Sequence, residues 1–391
     1  MSNPKNIFLE RQLSNELSRL QDFYAVIVVT GPRQSGKTTL CRRYFPDFQY
    51  INLENPSTRE QIQTAPKAFL EQYADGLILD EAQHLPELFS YIQIIADENE
   101  EARFIMTGSS NFALMQSITQ SLAGRAAILT LLPLSLSELG GRIFQTNTDT
   151  LLLNGGYPVV WAKNIPVGDV ARNYYNTYIE RDVRQLLNVK DMTRFQTFIR
   201  LCAGRIGTAF NASALSNEIG LSVSTIQEWL SVLEASYIIF RLPPFFRNIG
   251  KRLVKTPKLY FYDTGLACFL MGIENQEQLS IHPLRGALFE NMVVLEFYKN
   301  RYNQGKLPNL YFYRDKSQNE VDLIEEKAGK LHAYEIKSAK AFTRRFVKGL
   351  DYLRTVIGKD LASTQVLYDG ENDINSPENG LLNYRNLKGS A

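Results

Sequence analysis

Eight residues near the start of the chain have the types and the spacing that bind phosphate. They read Gly31-Pro32-Arg33-Gln34-Ser35-Gly36-Lys37-Thr38, which is the pattern GxxxxGK[ST], and Thr39 follows them. The glycines allow backbone N–H groups to approach phosphate oxygens without a Cβ clash. Lys37 can reach the β- and γ-phosphates of a nucleotide, and the Thr38 hydroxyl can bind Mg²⁺. The pattern therefore predicts a pocket for ATP and Mg²⁺ formed by residues 31–39.

A pair of acidic residues closes the next apolar run that could form a strand. The run Gly76-Leu-Ile-Leu79 ends in Asp80 and Glu81. We predict that Asp80 holds Mg²⁺ through water, and that Glu81 orients and activates the attacking water. The alternative is a helix N-terminus that two acidic side chains stabilise. A phosphate-binding loop (P-loop) such as residues 31–38 needs a carboxylate from a neighbouring strand to bind the metal, which favours the first interpretation.

Polar residues also follow a third apolar run. Arg103-Phe-Ile-Met106 leads into Thr107-Gly-Ser-Ser-Asn111. A polar side chain at this strand end could contact the γ-phosphate or the attacking water, and Ser109, Ser110 and Asn111 are all candidates for such a sensor. The alternative for each of them is an N-cap of the helix that follows.

Arg125 lies between that helix, at about 112–122, and a fourth apolar run at 126–132. We predict that it sits at the edge of the sheet. In a homo-oligomer it could enter the ATP site of a neighbouring subunit, where an arginine finger raises the rate of phosphoryl transfer by about 10³–10⁵. The competing interpretation is an arginine in a surface salt bridge. On the first interpretation Lys37, Glu81 and Arg125 share the catalysis.

The elements that must position these residues are those of a parallel sheet. Ala25-Val-Ile-Val-Val-Thr30 is continuous, apolar and rich in β-branched residues, as in a strand that is buried on both faces. Strand, glycine-rich loop and helix follow one another in the order that phosphate binding at a helix N-terminus requires. The fold class is therefore α/β, with a P-loop sheet in the N-terminal part.

The four strand-end motifs in this order, together with Gly155-Gly-Tyr-Pro158 and Tyr178-Ile-Glu-Arg-Asp182, resemble a widespread prokaryotic AAA+ ATPase family. Tyr157 departs from the family pattern, which usually has Phe there. The resemblance implies a helical lid after the ATPase core and then a C-terminal domain of unknown function, built as a winged helix followed by a restriction-endonuclease-like fold. Arg181 and Arg184 are candidates for reaching the phosphates from the lid, and the alternative for both is a solvated helix charge.

Residues 201–262 also carry the pattern of a winged helix. The segments 211–220 and 222–235 have helix-turn-helix spacing, and two predicted strands follow them. Between Arg241 and Lys258, these two included, there are six basic residues and no acidic one. Four of the six could contact DNA phosphates in a salt-sensitive way. They are Arg247, Lys251, Arg252 and Lys255. The alternative is a winged helix that contacts only protein.

The C-terminal third contains the residue types of a metal-dependent nuclease. Asp322 lies on one predicted strand, and Glu335 and Lys337 share a face of the next, since alternate residues of a strand point the same way. With Glu290 on a preceding helix they match the PD-(D/E)XK constellation, in which carboxylates bind Mg²⁺ and the lysine helps to activate water. The alternatives are an exposed cross-strand ion pair and a nuclease-like fold that serves binding or assembly.

The chain of 391 residues thus divides into four predicted parts. They are an AAA+ core (1–136), a helical lid (137–200), a winged helix (201–262) and a PD-(D/E)XK nuclease-like α/β domain (263–391), whose end, from about 370, is expected to be a loose tail. The net charge of +2 gives no global signature of nucleic-acid binding. The three cysteines are far apart and no apolar run could span a bilayer, so we expect a cytoplasmic protein that does not contact membranes.

These patterns predict an AAA+ ATPase that binds ATP and ADP, hydrolyses ATP with Mg²⁺, forms a homo-oligomer and acts on DNA through its C-terminal modules. One alternative is a nucleotide-dependent switch or assembly protein with an inactive nuclease-like fold. A second alternative is an ATP-regulated, Mg²⁺-dependent DNA nuclease.

Overall fold

The computed structural model describes residues 8–108, 122–183, 191–245 and 256–387. Among residues 8–130, five strands form a parallel sheet in the order β2-β3-β4-β1-β5. The sequence predicts the parallel sheet and four of these strands, but not β2 or the strand order. The strands are β1 (Val26–Thr30), β2 (Gln49–Asn52), β3 (Leu77–Asp80), β4 (Phe104–Gly108) and β5 (Ala126–Thr130). The helices beside them are α1 (Ser14–Leu20), α2 (Lys37–Tyr44), α3 (Pro56–Thr64), α4 (Pro66–Gln72) and α5 (Leu88–Glu98).

The apolar run of β1 is continuous because this sheet is covered on both faces. Successive side chains of a strand point to opposite faces. Val26 and Val28 therefore pack into one core with residues of α5, whereas Ile27 and Val29 pack into a second core with residues of α1 and α2. All five residues of β1 are buried, so an unpaired polar residue in place of Val26, Ile27, Val28 or Val29 would be costly.

The parallel arrangement brings the strand-end motifs to one edge of the sheet. The P-loop follows β1, Asp80 ends β3, and Thr107 lies near the end of β4, which runs between β1 and β3. Ligands of open parallel sheets bind at the carboxyl ends of the strands. The topology therefore places the candidate chemistry at this edge.

Short helices follow the sheet. They are α6 (Arg142–Gln145), α7 (Thr148–Asn154), α8 (Pro158–Lys163) and α9 (Val167–Tyr174), and a π-helix (Tyr175–Val183) continues α9. Proline occupies the first turn of α8, where its missing N–H has no cost. The predominantly helical character of the described part of 137–200 agrees with the sequence pattern.

Three helices and an antiparallel strand pair come next. They are α10 (Met192–Ala203), α11 (Ala212–Ile219), α12 (Val223–Ala235), β6 (Ile239–Leu242) and β7 (Lys258–Phe261). Asn211 accepts a hydrogen bond from the N–H of Ala214, and Ser222 accepts one from the N–H of Thr225, so α11 and α12 both begin at N-caps. Helix, turn, helix and strand pair occur in the order that the sequence predicts.

The C-terminal part is a mixed sheet in the order β12-β11-β10-β9-β8, with antiparallel pairing from β8 to β10 and parallel pairing from β10 to β12. Its strands are β8 (Leu310–Arg314), β9 (Glu320–Lys327), β10 (Lys330–Lys337), β11 (Leu361–Tyr368) and β12 (Gly380–Asn383), and its helices are α13 (Thr264–Leu270), α14 (Gln276–Ser280), α15 (Arg285–Asn303) and α16 (Lys348–Ile357). No helix in the described ranges, α15 included, has the length and apolar character to cross a bilayer.

The prediction of a loose tail from about residue 370 is wrong for the residues up to 387. β12 pairs with β11, and the Tyr384 side chain is fully buried, with its ring centroid 5.1 Å from that of Phe289. The composition of this segment is polar, but one strand pairing and one buried aromatic ring are enough to hold it. Neither signal stands out in a stretch rich in Asn and Gly.

Candidate nucleotide-binding site

Backbone geometry explains the two glycines of the P-loop. Gly31 has a φ of 139°, and a Cβ there would lie 2.2 Å from the carbonyl oxygen of Leu131. Gly36 has a φ of 96° and is the N-cap of α2. Residues that have a Cβ atom rarely adopt these backbone conformations, so both positions require glycine. The loop thereby presents the positive N-terminal end of α2 to the cavity described below.

The side chain of Lys37 is buried and lies across this loop. Its Nζ donates hydrogen bonds to the carbonyl oxygens of Gly31 at 3.0 Å and of Pro32 at 2.9 Å. Burial lowers the pKa of Lys37 to about 8, and the nearby charges of Glu81 and Asp80 oppose that shift only in part. A nucleotide phosphate at this position would favour the ammonium form.

Three hydroxyl groups donate to the carboxylate of Asp80. Thr38 Oγ1 lies 2.9 Å from Oδ1, and the Tyr50 hydroxyl lies 2.7 Å from Oδ2. Thr107 also donates to Oδ1. Hydroxyl and carboxylate oxygens are ligands that Mg²⁺ prefers, and Mg²⁺ usually keeps waters and phosphate oxygens as its remaining ligands. The predicted metal ligands Thr38 and Asp80 therefore lie side by side and fit this ion.

Glu81 lies beside the cavity in a strained backbone conformation. Its φ of 55° is left-handed, which is uncommon for a residue other than glycine and is found frequently at functional sites. Gln83 Nε2 donates to Glu81 Oε2 at 2.5 Å, and the N–H of Glu81 donates to Thr107 Oγ1 at 3.4 Å. Glu81 is one of the residues that line the cavity beside the P-loop.

A cavity of about 460 Å³ opens beside the P-loop. Its polar lining includes Gln34, Lys37, Thr38 and Glu81. Its apolar lining consists of Phe8, Leu9, Leu40, Leu134, Pro158, Val159 and Ala162. A nucleotide needs polar groups for its phosphates and apolar groups for its base, and this lining contains both.

Arg11, which no recognised motif contains, is buried beneath the P-loop. It donates to the carbonyl oxygen of Ser35 at 2.7 Å and to that of Leu132 at 2.5 Å, and its Nε lies 3.1 Å from Glu138 Oε1. One guanidinium thus joins the loop, the end of the sheet and the segment after it. Neither Arg11 nor Tyr50 could be selected from the sequence, because both act through contacts with residues far along the chain.

The two glycines at 155 and 156 fasten one wall of the cavity to the start of α13. A Cβ at Gly155 would lie 2.3 Å from Asp263 Oδ2, and the N–H of Gly156 donates to the same carboxylate at 2.7 Å. The carbonyl oxygen of Gly156 accepts from the N–H of Leu134 at 2.7 Å. Close packing therefore requires both glycines, and it connects the wall that contains Leu134 and Pro158 to the C-terminal half.

Arg125 lies away from the P-loop of its own chain. It precedes β5, which is parallel to β1, whereas the P-loop follows β1, so the two lie at opposite edges of the sheet. Its Nε is 2.5 Å from Asp97 Oδ1. The geometry within one chain is that of a surface salt bridge, and an action in the site of a neighbouring subunit stays a prediction.

Several predicted contact residues lie outside the described part of the chain. They are Ser109, Ser110, Asn111, the side chain of Arg181, Arg184, Arg247, Lys251, Arg252 and Lys255. Two further basic residues of the predicted wing are described. Arg241 donates to both carboxylate oxygens of Glu234 at 2.7 and 2.6 Å, and Lys258 is 2% exposed. Their charges are neutralised within the protein, so only the other four stay as candidates for DNA contact.

The structure brings together the four residues of the predicted nuclease constellation. Lys337 Nζ lies 3.1 Å from Asp322 Oδ2 and 2.6 Å from Glu335 Oε1. Glu290, on α15, joins the group through Lys258, whose Nζ donates to Glu290 Oε1 at 2.9 Å and lies 3.9 Å from Asp322 Oδ1. Lys258 was expected in a basic wing, and its place inside this cluster is the feature that the sequence did not predict.

Three family models match successive parts of the chain. An AAA domain matches residues 24–140, a domain of unknown function (DUF8612) matches 145–277, and a second domain of unknown function (DUF4143) matches 285–387. Among solved structures, a Walker-type ATPase of Pyrococcus abyssi has 16% identity and a TM-score of 0.47 over 69% of this chain and 99% of its own. A signal transduction ATPase with numerous domains from Pyrococcus horikoshii has 13% identity and a TM-score of 0.30 over 77% of this chain and 48% of its own. Both TM-scores are below 0.5, so neither structure shows the fold of this chain.

Relatives among curated proteins cover most of the chain. An uncharacterized protein of Mycobacterium tuberculosis is 30% identical over 373 residues, which are 92% of this chain and 80% of the relative. An uncharacterized protein of Methanocaldococcus jannaschii is 25% identical over 330 residues, which are 76% of this chain and 71% of the relative. With 30% identity over 92% of its length, the chain belongs to the family of the uncharacterized mycobacterial protein.

Proposed function

We propose that this protein binds ATP with Mg²⁺ and hydrolyses it. The observation that carries the proposal is that Lys37, Thr38 and Glu81 line one cavity, which also has apolar lining, and that Asp80 accepts a hydrogen bond from Thr38. The four residues come from α2 and from the end of β3, and the sheet brings these elements together. Each has the functional group that phosphoryl transfer to water requires at that place.

The roles of these residues follow from their present contacts. Lys37 exchanges the carbonyl oxygens of Gly31 and Pro32 for phosphate oxygens. Thr38 and Asp80 hold Mg²⁺, which when bound neutralises charge on the phosphates. Glu81 exchanges its hydrogen bond from Gln83 for one from a water and orients that water toward the γ-phosphate.

We further propose that α15 connects the nucleotide cavity to the C-terminal half. Lys299 Nζ donates to the carbonyl oxygen of Leu134, a residue of the cavity wall, at 2.7 Å and pairs with Glu296 at 2.8 Å. Glu296 in turn accepts from the N–H of Leu136 at 2.7 Å. All of these groups are buried, so a shift of the wall on nucleotide binding has to be accommodated by α15.

Nucleic acid is the partner that we propose for the C-terminal half. The support is the sequence of 246–255, which has four basic residues and no acidic one. DNA phosphates would bind such a segment with strong salt dependence. A protein partner is the alternative, in which case the chain is a nucleotide-dependent switch and DNA leaves its ATPase rate unchanged.

The test of the first proposal is ATP binding by equilibrium dialysis with Mg²⁺. We expect Lys37→Ala to lose binding, because the variant lacks the ammonium group that would compensate the charge of the bound phosphates. Lys67→Ala is the matched control, since Lys67 is exposed and pairs with the surface carboxylates of Glu71 and Glu98. Equal ATP affinity in the wild type and Lys37→Ala would refute the site.

The partner is tested by measuring ATP hydrolysis with single-stranded, duplex and branched DNA at low and high salt. Stimulation at low salt that fades at high salt supports nucleic acid. Charge reversal at Lys251, Arg252 and Lys255 should then remove the stimulation. A rate that none of the three DNAs changes would favour the switch.

A further inference from the structure

Lys258 of β7 places its ammonium group among carboxylates that come from α15 and β9. Its Nζ lies 2.9 Å from Glu290 Oε1, 2.6 Å from Glu320 Oε1 and 3.9 Å from Asp322 Oδ1. Only 2% of the side chain is exposed. The lysine is thus not a surface residue of a basic wing but the centre of an internal ion cluster.

The charge of Lys258 is kept in spite of its burial. Burial opposes the ammonium form, but Tyr260, Glu290, Asp322 and Glu320 together raise the pKa of Lys258 well above its ordinary value. A buried lysine without such partners would lose its proton. The surrounding carboxylates therefore act on Lys258 as they would act on a bound cation.

The cluster is close to electrical balance with protein groups alone. Its acidic members are Glu290, Glu320, Asp322 and Glu335. Lys258, Lys337 and Arg314 supply three positive charges, the last through a contact of 3.4 Å with Glu320. Three positive groups of the protein thus face four carboxyl groups.

A divalent cation does not fit this arrangement. Mg²⁺ needs carboxylate oxygens at about 2.0–2.1 Å in octahedral geometry. Glu290 Oε1, both oxygens of Asp322 and Glu335 Oε1 are instead in contact with the ammonium groups of Lys258 and Lys337, and the other oxygen of Glu335 is buried. Within the described ranges, no group of three His, Cys, Asp or Glu side chains is arranged to hold a metal ion. The residues therefore disagree with the metal that the nuclease-like constellation implies.

We infer that the ammonium group of Lys258 is the resident cation of this cluster, that it takes the position of Mg²⁺, and that it fastens the β6–β7 pair to the C-terminal sheet. In this conformation the constellation is a structural joint and not a nuclease centre. The inference is independent of the ATPase proposal, since none of its residues lines the nucleotide cavity.

Titration of the full chain with Mn²⁺, with free Mn²⁺ measured by electron paramagnetic resonance, tests this inference. Every sample lacks nucleotide and carries Asp80→Asn, which removes the metal carboxylate of the P-loop. We expect this protein to bind the same amount of Mn²⁺ with and without Asp322→Asn. We expect Lys258→Met to add one site per chain, and Asp322→Asn to remove that added site. Lys330→Met, at an exposed lysine on β10, is the control and should add none.

Two results would overturn the inference. One is a Mn²⁺ site in the protein with Lys258 intact that Asp322→Asn abolishes, because the cluster would then hold a metal beside the lysine. Both proteins in this comparison keep Lys258, so the result tests the inference even if Lys258→Met does not fold. The other is a folded Lys258→Met protein, checked by circular dichroism, that gains no site.

Discussion

Thr38 and Asp80, which are 42 residues apart, are joined by a hydrogen bond in which Thr38 Oγ1 donates to the Asp80 carboxylate at 2.9 Å. This contact links the first turn of α2, which follows β1, to the end of β3. In the sheet, β4 lies between β1 and β3. It brings together the two groups that would hold Mg²⁺ without any change in the backbone. The sheet therefore largely preorganises the proposed Mg²⁺ site.

The first prediction concerns the proton on Lys37. The pKa of about 8 means that the free protein loses this proton as the pH rises through 8, whereas a bound phosphate keeps it. Binding of a non-hydrolysable ATP analogue with Mg²⁺ at pH 8.5 should take up a proton, and affinity should fall above about pH 8. Calorimetry in two buffers of different ionisation enthalpy measures the uptake. Lys37→Arg, which stays charged, should show none if it binds, and identical heats in both buffers for the wild type would contradict the prediction.

The second prediction concerns Arg11 as a support of the P-loop. Arg11→Gln leaves Glu138 buried without its cation, and losing one partner of a buried pair costs about 3–5 kcal/mol. We expect faster hydrogen exchange in β1 and weaker ATP binding, both read by mass spectrometry with and without nucleotide. Arg19→Gln on α1 is the control, since Arg19 pairs with Glu16 at the surface and should change neither quantity. Equal rates of hydrogen exchange in β1 in the two variants would show that Arg11 does not support the P-loop.

The third prediction concerns the pH dependence of stability. The pKa of Glu335 is about 8 in the folded protein because of burial and the Asp322 charge, with Lys337 opposing, against an ordinary value of 4.5. The folded state keeps a proton that the unfolded chain releases, so this stabilisation is complete below 4.5 and is lost as the pH rises through 8. The midpoint of thermal unfolding should fall between pH 5.5 and 8.5 by less in Glu335→Gln than in the wild type. The exposed Glu101→Gln is the control, and parallel curves for the wild type and Glu335→Gln would contradict the prediction.

The fourth prediction concerns Arg125 in a homo-oligomer. If it completes the site of a neighbouring subunit, Arg125→Ala and Lys37→Ala should each be inactive alone. A mixture should regain part of the activity, because some sites then combine an intact P-loop with an intact arginine. Size-exclusion chromatography has to confirm that the two variants assemble together. If the mixed assembly is inactive, Arg125 does not act in a neighbouring site, and its role is the salt bridge with Asp97.

The parts of the site that the sequence predicts are local in the chain. Gly31, Gly36 and Lys37 lie within one loop, and Asp80 directly ends an apolar run, so their types and spacing are visible without a fold. Lys258 shows the opposite case. It lies among basic residues in the sequence, but its environment is set by carboxylates on α15 and β9.

Arg11, Tyr50 and Asp263 could not be predicted for the same physical reason. Each acts on the site through contacts with residues at least 24 positions away, and no periodic pattern records such contacts. The parallel sheet, by contrast, was predictable because burial on both faces leaves a continuous apolar run in β1. Strand pairing then brings Tyr50 and Asp80 together, but only the structure gives the pairing of β2 with β3.

The central claim is that Glu81 orients the water that attacks ATP bound at the P-loop. Its most direct test compares ATP binding and steady-state hydrolysis, at saturating Mg²⁺, between the wild type and Glu81→Gln. We predict that the variant binds ATP as tightly as the wild type but hydrolyses it about 10²–10⁴-fold more slowly, which is the range for loss of a general base. Hydrolysis by Glu81→Gln at the wild-type rate would contradict the account.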